Sequence, residues 1–270
     1  MKSTLLLIDI GNTRTKWCLL NPLLNDWDFE KFYGVMSNSE SPFSQMGNHT
    51  LQAIIDEREH IQQIIICNVA QDSVGHLWRQ WLMIHLPQTS INEFTSSLTF
   101  SKVENNYQAP YDLGNDRWAA IIGGSYFAPQ GNYLVVSSGT ATTIDYINKE
   151  LAFEGGLILP GINLMLHALG SKTALLPNLS YQSPQVMPNN SLGYSTDSAI
   201  LQGVLYSQLG AIQLTLDLNP QIRFLIVSGG NASLLYQHLE AKTNQNFKVI
   251  LDPFIVFRGL SLWFKDGQQS

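Results

Sequence analysis

Charge is what this sequence has least of. Of its 270 residues only 15 are Lys or Arg and 21 are Asp or Glu, 13% together, where about 25% is usual in a soluble protein. With 44% hydrophobic residues, the chain is not of the disordered class and can bury a large fraction of its surface, as one large domain or two small ones. No block of Lys or Arg is present and the net charge is -6, which excludes a nucleic-acid platform, since that needs a cationic stripe to displace counterions from phosphate. Long apolar runs are missing too. Leu5 to Ile8 is interrupted by Asp9 well before a secretory core or a membrane span is reached, so the mature chain is expected to begin at Met1 and to have no membrane partner. Cysteine is limited to Cys18 and Cys67, both in strand-like surroundings without a Cys-x-x-Cys spacing. Neither a disulfide framework nor a structural zinc is indicated, and a reducing cytoplasm is the expected setting. The histidines at 49, 60, 76, 85, 167 and 238 lack metal-ligand spacing and read as surface or packing residues.

What is present follows one grammar three times: an apolar, strand-forming run, a Gly/Thr/Ser turn, then a second strand or a helix. The runs are Leu5 to Leu20, Tyr133 to Ile147 and Arg223 to Asn231. Overlaying Gly11 on Gly139 pairs Ile8-Asp9-Ile10-Gly11 with Val136-Ser137-Ser138-Gly139, which suggests a duplicated strand-turn-strand unit, although two unrelated Gly turns remain an alternative. Between the first two runs lie a polar stretch from about 21 to 48, an amphipathic segment at 51 to 59, a buried-type strand at 61 to 69 and a helix at 74 to 85. Arg117 to Ala128 reads as a helix with Trp118 and Tyr126 on its packing face, and its interior Gly123-Gly124 needs a reason such as close approach of another backbone. Further on, a strand from Glu154 ends at Pro160-Gly161, a helix follows from Ile162 to Leu169, and 176 to 193 reads as a loop. Ser195 or Thr196 is placed to cap a long helix reaching Leu216. The apolar tail from Pro253 to Phe264 is expected to dock back on the body.

Asp9-Ile10-Gly11-Asn12-Thr13-Arg14-Thr15-Lys16 puts a carboxylate at the end of a buried strand, before a turn whose Gly11 lets backbone N–H groups approach an anion. Thr13, Thr15 and Lys16 add donors and positive charge. The combination suits nucleotide phosphates with a hydrated magnesium on the carboxylate; the competing reading is a hairpin in which Asp9 bonds only local backbone. Ser138-Gly139-Thr140-Ala141-Thr142-Thr143 repeats the pattern without a Lys. Leu113-Gly114-Asn115-Asp116-Arg117 sets Asp116 and Arg117 at a helix start, where Asp116 is either a helix cap or a base for a hydroxyl attacking phosphate. Arg117 suits a carboxylate or phosphate.

Taken in order, Asp9-x-Gly-Asn-Thr-x-x-Lys16, Leu113-Gly-x-Asp-Arg117, Gly139-Thr-Ala-x-Thr-x-Asp145, Gly155-Gly-x-Ile-x-Pro-Gly161, the segment 196 to 203 and Ser228-Gly-Gly230 resemble type III pantothenate kinase. The resemblance covers nearly the whole chain. It implies an α/β fold of two ribonuclease-H-like domains of the actin-like ATPase and hexokinase superfamily, divided here as 1 to 115 and 116 to 270. It further implies MgATP held by residues 9 to 16 and Thr140, with Asp9 on magnesium through water. Pantothenate falls to Tyr107, Gly114, Asn115, Asp116, Arg117 and Thr196, with Asp116 as the base and a homodimer as the assembly. The family's Asp two residues before Gly-Thr-Ala, a ligand for activating potassium or ammonium, is Ser137 in this chain, and the lost anionic oxygen weakens such a site. Kinase action on another small alcohol or sugar, and a non-catalytic nucleotide-binding regulator, are the competing functions.

Overall fold

The computed structural model describes residues 4–21, 28–44, 48–172, 192–244 and 246–267. The chain forms two compact units, residues 1–123 with 254–270, and residues 124–253. Most of the loop expected at 176 to 193, and two parts of the polar stretch at 21 to 48, lie outside the described residues.

In the first unit β1 (Thr4–Ile10), β2 (Arg14–Leu20) and β3 (Tyr33–Ser37) run antiparallel in succession. On the other side of β1, β4 (Ile61–Asn68) and β5 (Ser90–Phe94) join in parallel, giving the order β3-β2-β1-β4-β5. β4 is apolar on both faces, with Ile64, Ile65, Ile66 and Cys67 all buried, as expected of a central parallel strand covered on both sides. Helices α1 (His49–Asp56) and α2 (Asp72–His85) bring Leu51, Ile54, Trp78, Trp81 and Leu82 onto Leu6, Ile8, Trp17 and Ile66. The Trp17 and Trp78 rings lie 5.3 Å apart and tilted, a favourable aromatic arrangement. A short hairpin, β6 (Thr99–Phe100) and β7 (Val103–Asn105), precedes α3 (Asn115–Gly124).

The helix expected over 117 to 128 thus starts two residues earlier and stops at Gly124. Trp118 is buried as expected, but Tyr126 is exposed. Lying beyond the helix end, it no longer follows the helical phase that placed it on the packing face, and its ring meets Phe127 edge-on. Gly123 has the anticipated close backbone neighbour: a Cβ there would collide with the Ile255 carbonyl oxygen of the C-terminal helix Ile255–Gly267, and a Cβ on Gly259 would strike the Ala119 carbonyl. The two glycines let the helix backbones touch. The apolar tail therefore packs in the first unit, as a helix with Ile255, Phe257 and Leu260 buried.

The second unit repeats this topology. β8 (Tyr133–Ser138), β9 (Ala141–Ile147) and β10 (Ala152–Pro160) are antiparallel neighbours, and β11 (Phe224–Ser228) and β12 (Lys248–Leu251) add in parallel on the other side of β8. Counted within the unit, the order is again third-second-first-fourth-fifth, the ribonuclease-H-like arrangement. Helices α4 (Ile162–Lys172), α5 (Thr196–Leu218) and α6 (Ala232–Leu239) cover it. α5 opens on a capping box in which Ser195 and Ser198 exchange side-chain and backbone bonds, satisfying N–H groups that a helix start leaves open. It is long and apolar enough to cross a membrane by length and composition, and it sets Val204, Leu205 and Ile212 into a core with Leu134, Val136, Leu225 and Val227. In both units the overlaid glycine begins the first turn: Gly11 N–H donates to the Arg14 carbonyl at 3.1 Å, and Gly139 N–H to the Ala141 carbonyl at 2.9 Å. The first turn is one residue longer.

Candidate functional site

β1 delivers Asp9 to its C-terminal end, in register with Lys16 on β2 and Cys67 on β4. Lys16 Nζ lies 3.8 Å from Asp9 Oδ2. The carboxyl is almost fully enclosed and its Oδ1 has no hydrogen-bond partner. Burial pushes its pKa up to about 6, a rise that Lys16 opposes and the charge of Asp116 reinforces. An enclosed carboxylate with an unused oxygen is the donor that a divalent cation accompanying phosphates requires, since such an ion keeps most of its waters and takes one or two protein carboxylates. Among the described residues no group of three or more His, Cys, Asp or Glu gathers to form a protein-only metal cage.

The turn after Asp9 is held open by its surroundings. Asn12, Thr13 and Arg14 are exposed. Ile10 is buried in the core and its carbonyl accepts the Val69 N–H, so only backbone at that position faces the turn. Thr15 is buried, its hydroxyl donating to Asn38 Oδ1 at 2.8 Å.

Asp116 sits in the first turn of α3, with Gly114 in the preceding cap position and the Gly114 carbonyl accepting the Trp118 N–H at 2.9 Å. It is therefore the second residue of the helix, two places past the N-cap position. Its Oδ1 accepts the Arg117 N–H at 2.8 Å. Burial raises its pKa, against the lowering effects of that bond and of the Arg117 and Lys16 charges. The helix start is anchored by Asn115, whose Oδ1 accepts the Ser96 N–H at 2.9 Å and whose Nδ2 donates to the Asn68 carbonyl at 3.3 Å. Arg117 is buried, with its guanidinium carbon 5.8 Å from the centre of the Tyr107 ring, within cation–π range. Tyr107 is set there by Asn105, which accepts the Tyr107 N–H and donates to the Ser97 and Pro110 carbonyls. The first unit thus brings Asp9, Lys16, Asp116, Arg117 and Tyr107 into one electrostatic and packing neighbourhood.

In the second unit Ser138 and Thr142 are fully buried with their hydroxyls 3.1 Å apart, which leaves Gly139 and Thr140 exposed at the turn. Gly161 donates to the Thr140 carbonyl at 3.0 Å, and a Cβ on it would collide with the Gly139 and Thr140 carbonyls. Gly229 adopts a φ of +93° against the Ser138 backbone, a conformation that favours glycine. Gly161 and Gly229 therefore wall the 139–140 turn with backbone. Half-buried Ser137 lies between Thr143 and Ser228 in register. Thr196 is exposed at the start of α5, also in the second unit.

Four residues with no signal in the chain's motifs belong to this machinery: Asn38, Asn68, Ser96 and Asn105. Only Asn68 leaves a trace in sequence, as the residue ending the buried β4 run. A lone Asn or Ser in a polar stretch is indistinguishable from a solvated one until the strands are registered.

A profile of the type III pantothenate kinase family matches residues 5–217. A type III pantothenate kinase of Herminiimonas arsenicoxydans is 32% identical over 240 residues, covering 87% of this chain and 90% of that protein. One from Azoarcus sp. strain BH72 is 32% identical over 254 residues, covering 93% and 89%. Among solved structures, a conserved Campylobacter jejuni protein described as a Baf family transcriptional activator aligns with a TM-score of 0.58 at 22% identity, over 98% of this chain and 100% of that one. The activator of 2-hydroxyisocaproyl-CoA dehydratase from Clostridium difficile, with bound ADPNP, aligns with a TM-score of 0.54 at 12% identity, over 98% and 96%. These structural likenesses speak for the fold alone, a two-unit α/β architecture. The profile and the relatives at 32% identity go further: the chain belongs to the type III pantothenate kinase family.

Proposed function

We propose that this protein transfers the γ-phosphoryl group of ATP to the primary hydroxyl of pantothenate, giving 4′-phosphopantothenate and ADP, the step that opens coenzyme A biosynthesis. It is a phosphotransferase that uses ATP with a divalent metal. The observation that carries the residue assignment is the enclosed Asp9 carboxyl, with Lys16 Nζ 3.8 Å from one oxygen and the other unpartnered, and Asp116 close enough for its charge to bear on it. A phosphate turn and a basic carboxylate share one neighbourhood.

Asp116 accepts the proton as the pantothenate oxygen bonds to the γ-phosphorus and the bond to the β-phosphate oxygen breaks, leaving ADP. Its bond from the Arg117 N–H fixes one oxygen, and burial raises its basicity. Arg117, with Tyr107 against its face, holds the pantothenate carboxylate through its planar fork, with Gly114, Asn115 and Thr196 as further contacts. Backbone groups of residues 10 to 14, the Thr13 hydroxyl and Thr140 receive the phosphates, whereas the expected donor Thr15 is buried with its hydroxyl given to Asn38. Lys16 neutralises charge on the moving phosphoryl group. Asp9 would hold the magnesium ion, which when bound would draw charge from the phosphate oxygens.

Ser137 offers a neutral hydroxyl between Thr143 and Ser228, so potassium or ammonium is proposed to stimulate this protein weakly. A homodimer working in the cytoplasm is the proposed assembly and setting.

The test is a coupled assay for ADP release with pantothenate, with sugars and with no acceptor, in potassium and in sodium buffers. Pantothenate should have the highest kcat/KM, and Asp116→Asn should lower kcat by about a hundredfold or more, the usual range for general base removal. A sugar with the higher kcat/KM refutes the substrate; near wild-type turnover in a folded Asp116→Asn protein refutes the base.

A further inference from the structure

Asn38 stands just past the end of β3, in a stretch where the sequence offers no motif. Three of its hydrogen-bonding groups reach the turn that follows Asp9. The backbone N–H donates to the Thr13 carbonyl at 2.9 Å, the side-chain Nδ2 donates to the Gly11 carbonyl at 2.6 Å, and Oδ1 accepts the Thr15 hydroxyl at 2.8 Å. One residue from a neighbouring strand thus ties down the beginning, middle and end of a five-residue segment whose Asn12, Thr13 and Arg14 side chains are exposed.

The chemistry of each bond matters for an anion. By occupying the Gly11 and Thr13 carbonyl oxygens, Asn38 turns these acceptors toward itself and away from the face where phosphate oxygens must meet donors. By fixing Thr15, it keeps β2 in the register that sets Lys16 opposite Asp9. Donors aimed before the ligand arrives cost no reorganisation when it binds. The equivalent turn in the second unit is one residue shorter and is walled by Gly161 and Gly229, so the clamp is particular to the longer turn.

We infer that Asn38 is a positioning residue for the nucleotide, which acts by holding the Gly11 to Thr15 turn in its phosphate-receiving shape and touches neither pantothenate nor the reacting atoms. The inference rests on the reading of residues 9 to 16 as the phosphate turn. Calorimetric binding of MgATP to the full chain tests both separately, because it needs no acceptor. Wild type should bind MgATP; if it does not, the phosphate-turn reading falls and the role of Asn38 with it. Asn38→Ala and Asn38→Asp, which both lose the amide donor to Gly11, should weaken MgATP binding and raise the ATP KM about tenfold, as expected for one lost buried hydrogen bond. The pantothenate KM should stay within about twofold, a split that general loosening of the fold does not produce. Ser39→Ala, which removes only the hydroxyl contact to Ser37, should leave both unchanged. If wild type binds MgATP and the Asn38 variants bind it equally well, or lose affinity for both substrates alike, the inference is wrong while the phosphate-turn reading stands. Should Asn38→Ala fail to fold, Asn38→Asp, which keeps the acceptor for Thr15, carries the comparison.

Discussion

Replacing Asp9 by Asn should make the nucleotide-free protein more stable and less able to use ATP. Asp9 is enclosed, with one oxygen unpartnered and Lys16 3.8 Å from the other. Burial outweighs that cation and raises the carboxyl from its ordinary 3.8 to about 6. The folded state therefore holds the proton more tightly than the unfolded chain, so wild-type stability falls as pH rises from about 4 to about 6 and stays low above that. At about 1.4 kcal/mol per pKa unit, ionising Asp9 costs the fold about 3 kcal/mol at pH 8 and about 1 kcal/mol at pH 4.5. Asn has the same shape and no charge to bury. Urea denaturation without nucleotide should show Asp9→Asn gaining up to about 3 kcal/mol over wild type at pH 8, with the gain shrinking to about 1 kcal/mol at pH 4.5. Saturating MgATP should reverse the order at pH 8, because only wild type gains binding free energy. A difference between the two proteins that does not change with pH, or an Asp9→Asn protein that is the less stable at pH 8, refutes the argument.

Three further outcomes follow from the geometry. Arg117→Lys keeps the charge but loses the planar fork and its face on Tyr107, so the pantothenate KM should rise about tenfold or more while the ATP KM holds, measured by steady-state kinetics. Gly123→Ala drives a methyl into the Ile255 carbonyl and should cost about 1–3 kcal/mol by denaturant titration. Ser195→Ala removes the acceptor for the Ser198 N–H at the start of α5 and should cost about 1 kcal/mol in the same titration.

Much of the architecture was legible because its signals are local. The runs at 5 to 20 and 133 to 147 are apolar enough to be strands on both faces, and each is punctuated by a Gly that only a turn explains. The long helix from Thr196 announced itself by its Ser cap. β3 was not legible, because five residues of mixed character, Tyr33-Gly34-Val35-Met36-Ser37, become a strand only when β2 offers its edge. The short strands between 90 and 105 escaped for the same reason. Tyr126 leaves the face that helical phase assigns to it because the helix ends at Gly124.

At the site, the sequence by itself determined which residues carry charge and where they stand along the chain: Asp9, Lys16, Asp116 and Arg117 beside glycine-containing turns, in a protein with few charges elsewhere. Spacing along a strand or a helix start is a one-dimensional property, so it could be read. Only the tertiary structure decided that Asp9 is enclosed with an idle oxygen, that Lys16 and Asp116 bear on it, and that Asp116 is the second residue of its helix. It alone brought Asn38, Asn68 and Ser96 to the segments they hold. Burial and hydrogen bonding depend on which strands become neighbours, and those partners lie tens of residues apart in the chain.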